Sequence, residues 1–145
     1  MRLFTRTVTI AKPREAVFDF VVDFSQASRW RQSVRTMEPV TPGPLRAGTV
    51  IRTIFDVAGD DLTLDLKVAA CERPSLWRHT VDEHDFHTTV EYRFEQDAAG
   101  TRVTMRCDVQ PVTWYGWLSV PLLSLQRGKM YQEQLPQLKR ALETS

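Results

Sequence analysis

Cysteine is scarce in this chain. There are two in 145 residues, Cys71 and Cys107, with no Cys-x-x-Cys spacing. That excludes a disulfide framework and a zinc site built on paired thiolates. Both cysteines fall inside predicted strands and read as buried thiols in a reducing cytoplasm, with one cross-strand bridge as the alternative. No run reaches the ~18 apolar residues of a membrane-spanning helix. The opening Met-Arg-Leu-Phe-Thr-Arg-Thr-Val alternates like a strand where a signal peptide would be apolar, so the cytoplasm is the expected location. Charge of one sign is also lacking. The formal net charge of +1 gives no general attraction to nucleic acid, and none is expected as a partner. No Gly-rich phosphate loop, nucleophile elbow or Ser/His/Asp order is present, and no cofactor is expected.

What is present is ordinary for a globular protein: 42% hydrophobic and 26% charged residues. The length favours one domain, residues 1–145, which buries roughly 68–70% of its unfolded surface without metal or disulfide staples. Period-two alternation marks seven strands: 4–10, 33–41, 49–58, 62–71, 76–82, 88–95 and 103–109. After the first strand, Pro13 opens a short helix whose apolar stripe is Ala16, Val17, Phe20, Val21 and Phe24. Asp23 or Ser25 caps a second short helix ending near Trp30. Thr41–Gly48 is a Pro- and Gly-rich loop.

Pro111 ends the last strand, because it offers no N–H to a ladder. From about Tyr115 the spacing becomes helical, through Leu118, Leu122 and Leu125 and then Leu135, Leu138 and Leu142. Pro121 is placed in the first turn, with the helix starting near Ser119, and Pro136 is expected to kink the helix or end its regular part. Arg127, Lys129, Lys139 and Arg140 read as its solvated face. A long amphipathic helix needs an apolar surface, and one face of an antiparallel sheet supplies it. The expected fold class is therefore α+β, a seven-stranded curved antiparallel sheet around a long C-terminal helix, with two short helices after the first strand.

Strand parity assigns the inner face. If Phe94 lies beside Val103, one side carries Val90, Tyr92, Met105, Cys107 and Val109, with Trp77, His79 and Val81 from the preceding hairpin. Leu62, Leu64, Leu66 and Val68 continue it, then Ile51, Thr53, Phe55 and Val57. This face is larger than one helix covers closely, which predicts an apolar cavity whose polar members are Thr53, His79 and Tyr92.

The order of elements, and the stretches VTIAKPREAVFDFVVDFSQASRW and EYRFEQDAAGTRVTM, resemble the polyketide cyclase/dehydrase-like and lipid-transport (START-like, SRPBCC) superfamily. Gly48 and Arg73-Pro74 also match its positions. The resemblance implies a helix-grip fold with an apolar cavity between sheet and helix. It carries over no shared catalytic residues, and fold analogy does not assign chemistry.

The expected ligand contacts are Thr53, Phe55, Leu64, Trp77, His79, Tyr92 and Met105 from the sheet, and Trp117, Leu125 and Gly128 from the helix. Gly128 either widens the cavity or is local slack. His79 and Tyr92 are the candidates for proton transfer, against plain readings as a core histidine and a core tyrosine. Asp82, Glu83, His84, Asp85 and His87 read as a solvated hairpin turn, with no metal expected. Trp30 is expected to pack the short helices. Trp114, Tyr115 and Trp117 belong to the cavity mouth or core, or else to an exposed patch for a partner or second copy.

Three functions follow as expectations. The first is binding of a small hydrophobic ligand such as a polyketide, lipid or aromatic metabolite, by a monomer or homodimer. The second is a cyclase- or dehydratase-type enzyme using His79 or Tyr92. The third is a protein-interaction module without a small ligand.

Overall fold

The change of apolar period at Pro111 divides the chain as expected. In the computed structural model, which describes residues 1–144, everything before it except two short helices is one antiparallel sheet. The strands are β1 (Arg2–Ile10), β2 (Val34–Pro39), β3 (Val50–Val57), β4 (Asp60–Glu72), β5 (Leu76–Asp82), β6 (Phe86–Asp97) and β7 (Gly100–Pro111). Their order in the sheet is β1-β7-β6-β5-β4-β3-β2, so only the β1–β7 pairing joins strands distant in sequence. Between β1 and β2 lie α1 (Arg14–Val21) and a 3-10 turn of helix, Phe24–Arg29. Asp23 caps the latter by accepting from the Ser25 backbone N–H.

The register matches the parity argument. Phe94 pairs with Val103, Trp77 with Tyr92 and Thr53 with Leu64. Val90, Tyr92, Phe94, Val103, Met105 and Cys107 are accordingly buried together. The opposite face is polar, with Arg52 bonded to Asp65 and Glu91 paired to Arg78, Arg93 and Arg106. Cys107 is buried, and burial pushes its thiol up to about 12. A bulge between Val68 and Ala70 shifts the parity at the end of β4 and pairs Cys71 with Trp77, where it is half-buried against the core. Both thiols are free.

The turn between β6 and β7 requires glycine. Gly100 has φ +133°, and a Cβ there would lie 2.2 Å from the Ile10 carbonyl oxygen.

The C-terminal helical segment comes in two pieces, α2 (Trp114–Met130) and α3 (Gln134–Glu143). Thr113 caps α2, its hydroxyl accepting from the Gly116 N–H. Helix therefore begins before Ser119, and Pro121 lies inside it rather than in its first turn. The interruption at 131–133 contains Gln132, the residue four before Pro136. That is the carbonyl a proline ring displaces and cannot bond.

The buried stripe of α2 is Gly116, Val120 and Leu123, not Leu118, Leu122 and Leu125, which are exposed. The first three turns are apolar on every side, so spacing alone selects no face. Val120 and Leu123 pack on Phe86 and Val109. In α3 the expected Leu135, Leu138 and Leu142 do face the core. Among the described residues, no helix is long and apolar enough to cross a membrane.

Candidate functional site

Between the inner face of β2–β6 and the junction of α2 with α3 lies a cavity of about 150 Å³. Its walls are largely apolar: Val34 and Met37 from β2, Phe55 from β3, Leu62, Leu64 and Leu66 from β4, Val81 from β5 and Val90 from β6. The helical side contributes Arg127, Met130, Tyr131 and Gln134. Arg31 and Gln32, just after the 3-10 turn, close it from the third side.

Of the residues expected to touch ligand, Thr53, Phe55, Leu64, His79 and Tyr92 line this space. Trp77 and Met105 are buried but do not reach it. Trp77 packs its ring on Phe24. Trp117 and Leu125 stand apart, 52% and 70% exposed, because the face of α2 that carries them turns outward. Gly128 lies beside β1, where its carbonyl accepts from Arg6 Nη2 at 2.7 Å. Trp114, Tyr115, Trp117, Leu118 and Leu122 form an exposed apolar strip rather than a cavity mouth.

The polar groups divide into two sets. At one end, Trp77 Nε1 donates to His79 Nδ1 at 3.2 Å. Indole N–H can only donate, so Nδ1 is the acceptor and the imidazole proton sits on Nε2. Burial, aided by the charge of Arg31, pushes the His79 pKa down to about 3, and the ring is neutral at ordinary pH. Tyr92 is fully buried and its hydroxyl donates to Gln134 Oε1 at 2.5 Å, tying α3 to β6. Burial raises the pKa of Tyr92. Trp30 packs edge-on against Tyr92, within the core as expected for the short helices.

At the other end, Arg127 is ion-paired with Glu83, and Thr88 Oγ1 donates to Glu83 Oε2 at 3.1 Å. Arg127 is therefore not on a solvated face, and Glu83 is not part of a solvated turn. The β5–β6 hairpin brings the carboxylate over the cavity, where α2 presents the guanidinium. The rest of that turn is exposed, with His87 bonded to Asp82 and His84 to Asp85. No cluster of metal-ligating side chains occurs among the described residues.

Five of the lining residues that sequence reasoning missed carry the cavity's polar character: Arg31, Glu83, Arg127, Tyr131 and Gln134. All are polar or amphipathic, and a search for apolar periodicity passes over them. The only available signal was position. Gln134 precedes Leu138 by four residues, and so shares its helix face.

The model of the family described as polyketide cyclase/dehydrase and lipid transport matches residues 1–143. No curated protein matches the chain. Among solved structures, the fold is similar to the Zhui aromatase/cyclase from Streptomyces sp. R1128, at 18% identity and a TM-score of 0.78, covering 97% of this chain and 92% of that one. It is similar to a START superfamily protein from Mycobacterium smegmatis at 14% identity and a TM-score of 0.75, covering 97% of both chains. It is also similar to TTHA0849 from Thermus thermophilus at 20% identity and a TM-score of 0.76, again covering 97% of both. With the helix-grip architecture and the match along nearly its whole length, the chain belongs to the polyketide cyclase/dehydrase and lipid transport family of the START-like (SRPBCC) superfamily.

Proposed function

We propose that this protein binds a small hydrophobic molecule in the cavity between its sheet and the α2–α3 junction. The observation that carries the reading is an apolar space bounded by three separate parts of the fold, with a few polar side chains turned into it. Ligand sites have this composition. A cavity of about 150 Å³ holds a body the size of one aromatic ring. A longer chain would emerge past Val57 and Leu62, both half-exposed at the tip of the β3–β4 hairpin.

Binding is favoured over acid–base catalysis by His79. A group with a pKa near 3 is a poor proton acceptor at neutral pH, where a catalytic base works best with a pKa close to the operating pH.

The test is titration of methyl-labelled protein with octan-1-ol, alongside native mass spectrometry of gently purified material. The methyl resonances of Leu64, Leu66 and Val90 should shift saturably while those of exposed Leu118 stay still. Cavity methyls that do not move at the solubility limit of the alcohol would overturn the reading.

A further inference from the structure

Arg31 is a buried cation without a counter-charge. It is 5% exposed and lines the cavity. Among the described residues no carboxylate lies within ion-pair distance of it, and its Nε finds no acceptor. Its Nη2 donates to the Val21 carbonyl at a long 3.4 Å, and its other polar partner, the Tyr92 hydroxyl, is neutral and supplies no counter-charge. Its guanidinium lies over Trp30 at 4.3 Å and beside the Tyr92 ring at 5.7 Å. Aromatic faces and one carbonyl at the end of α1 soften the burial of the charge but do not cancel it.

The charges around the cavity sum accordingly. Arg127 is neutralised by Glu83, while His79, Tyr92 and Tyr131 are uncharged. Arg31 leaves the space with one net positive charge. His79 lines the same space from the sheet side, near enough to feel the charge of Arg31, with its Nε2 proton unclaimed by any acceptor among the described residues. A guanidinium and an imidazole N–H facing an apolar space are what a carboxylate needs when it leaves water: a fork of donors, a second donor and an opposite charge. A buried charge lacking its partner is costly, and a ligand that brings the partner recovers that cost.

We propose that Arg31 is the headgroup site of the cavity and that the ligand is an amphipathic carboxylate. Its acid group would pair with Arg31, assisted by His79, and its apolar body, a ring or short chain, would lie against Leu64, Leu66 and Val90. This rests on the cavity being a ligand site and adds to it the chemistry of the polar end.

The experiment compares octanoate with octan-1-ol, which share a chain length, by calorimetric titration at neutral pH. Octanoate should bind at least roughly tenfold tighter to the wild type. In Arg31→Gln the alcohol should bind as before and the preference should fall below about threefold, through lost affinity for the acid. A second reading needs no variant. The Nε–H resonance of Arg31 in the wild type should move with octanoate and stay in place with octan-1-ol. Equal binding of acid and alcohol, or an Arg31 resonance insensitive to octanoate, overturns the headgroup assignment and leaves the hydrophobic site standing. A preference retained in Arg31→Gln overturns the role of Arg31. Failure of both compounds to bind overturns the hydrophobic site itself.

Discussion

Tyr92→Phe tests how the helical segment is held to the sheet. The substitution keeps the ring against Trp30, where the centroids are 6.1 Å apart, and removes only the hydroxyl. That hydroxyl is the donor to Gln134 Oε1, and both residues are at most 2% exposed. A buried acceptor stripped of its partner costs about 1–3 kcal/mol, while the net value of the bond itself is only about 1 kcal/mol. We expect Tyr92→Phe to destabilise by about 2 kcal/mol, which lowers Tm by about 4–8 °C in a chain of this size. Gln134→Leu alone strands the tyrosine hydroxyl and should cost a similar amount. Together the two changes remove both partners of this bond, leaving only the contact of the hydroxyl with Arg31 lost, and should cost about 1 kcal/mol. The double-mutant cycle, measured by urea unfolding, should show a coupling of about 3 kcal/mol. A Tyr92→Phe change below about 0.5 kcal/mol, or additive single effects, would refute the account of this bond as the link between α3 and β6.

The pH dependence follows from His79. Its folded pKa near 3 lies below the ordinary value of 6.5, so between those limits the unfolded chain binds the proton and the folded chain does not. Stability from this group is complete above pH 6.5 and falls as pH drops, by about 1.4 kcal/mol per pH unit. Between pH 6.5 and 5 the wild type should lose about 2 kcal/mol more than His79→Gln, measured by urea unfolding at both pH values; parallel losses would refute it. Gly100→Ala should destabilise by about 2–3 kcal/mol, since the added carbon meets the Ile10 carbonyl in a backbone conformation that disfavours side chains; an unchanged Tm would contradict the close approach. Leu64→Trp should fill the cavity from its rim and weaken octan-1-ol binding roughly tenfold, at a cost in stability of about 1 kcal/mol. Trp117→Ala and Leu125→Ala should leave that affinity within about twofold, and a loss there would move the site to the outer face of α2.

Much of the fold was legible because strands carry their own address. Side chains alternate with a period of two, so one correctly paired hairpin, Phe94 with Val103, sets the facing of its neighbours, and the inner residues Thr53, Leu64, His79 and Tyr92 follow from parity. The Asp23 cap was equally local, since it depends on one residue's own side chain, whereas the close approach of Gly100 to the Ile10 carbonyl was set by β1.

The helical segment was a different case. Trp114, Tyr115, Trp117, Leu118, Val120, Leu122, Leu123 and Leu125 surround the axis of α2, and such a helix buries whichever side the rest of the molecule requires. Its roll was decided by the Thr113 cap, the break at 131–133 and the Arg6–Gly128 bond to β1, contacts spanning up to 122 residues. That roll put Trp117 and Leu125 in solvent and Arg127 and Gln134 over the sheet. The sequence by itself determined the strands, their facing and an apolar interior, because those follow from local periodicity. Only the tertiary structure decided which charges enter that interior. A Glu83–Arg127 pair and an unpaired Arg31 arise where separate elements meet, and an arginine in the sequence carries no mark of whether a carboxylate will lie beside it.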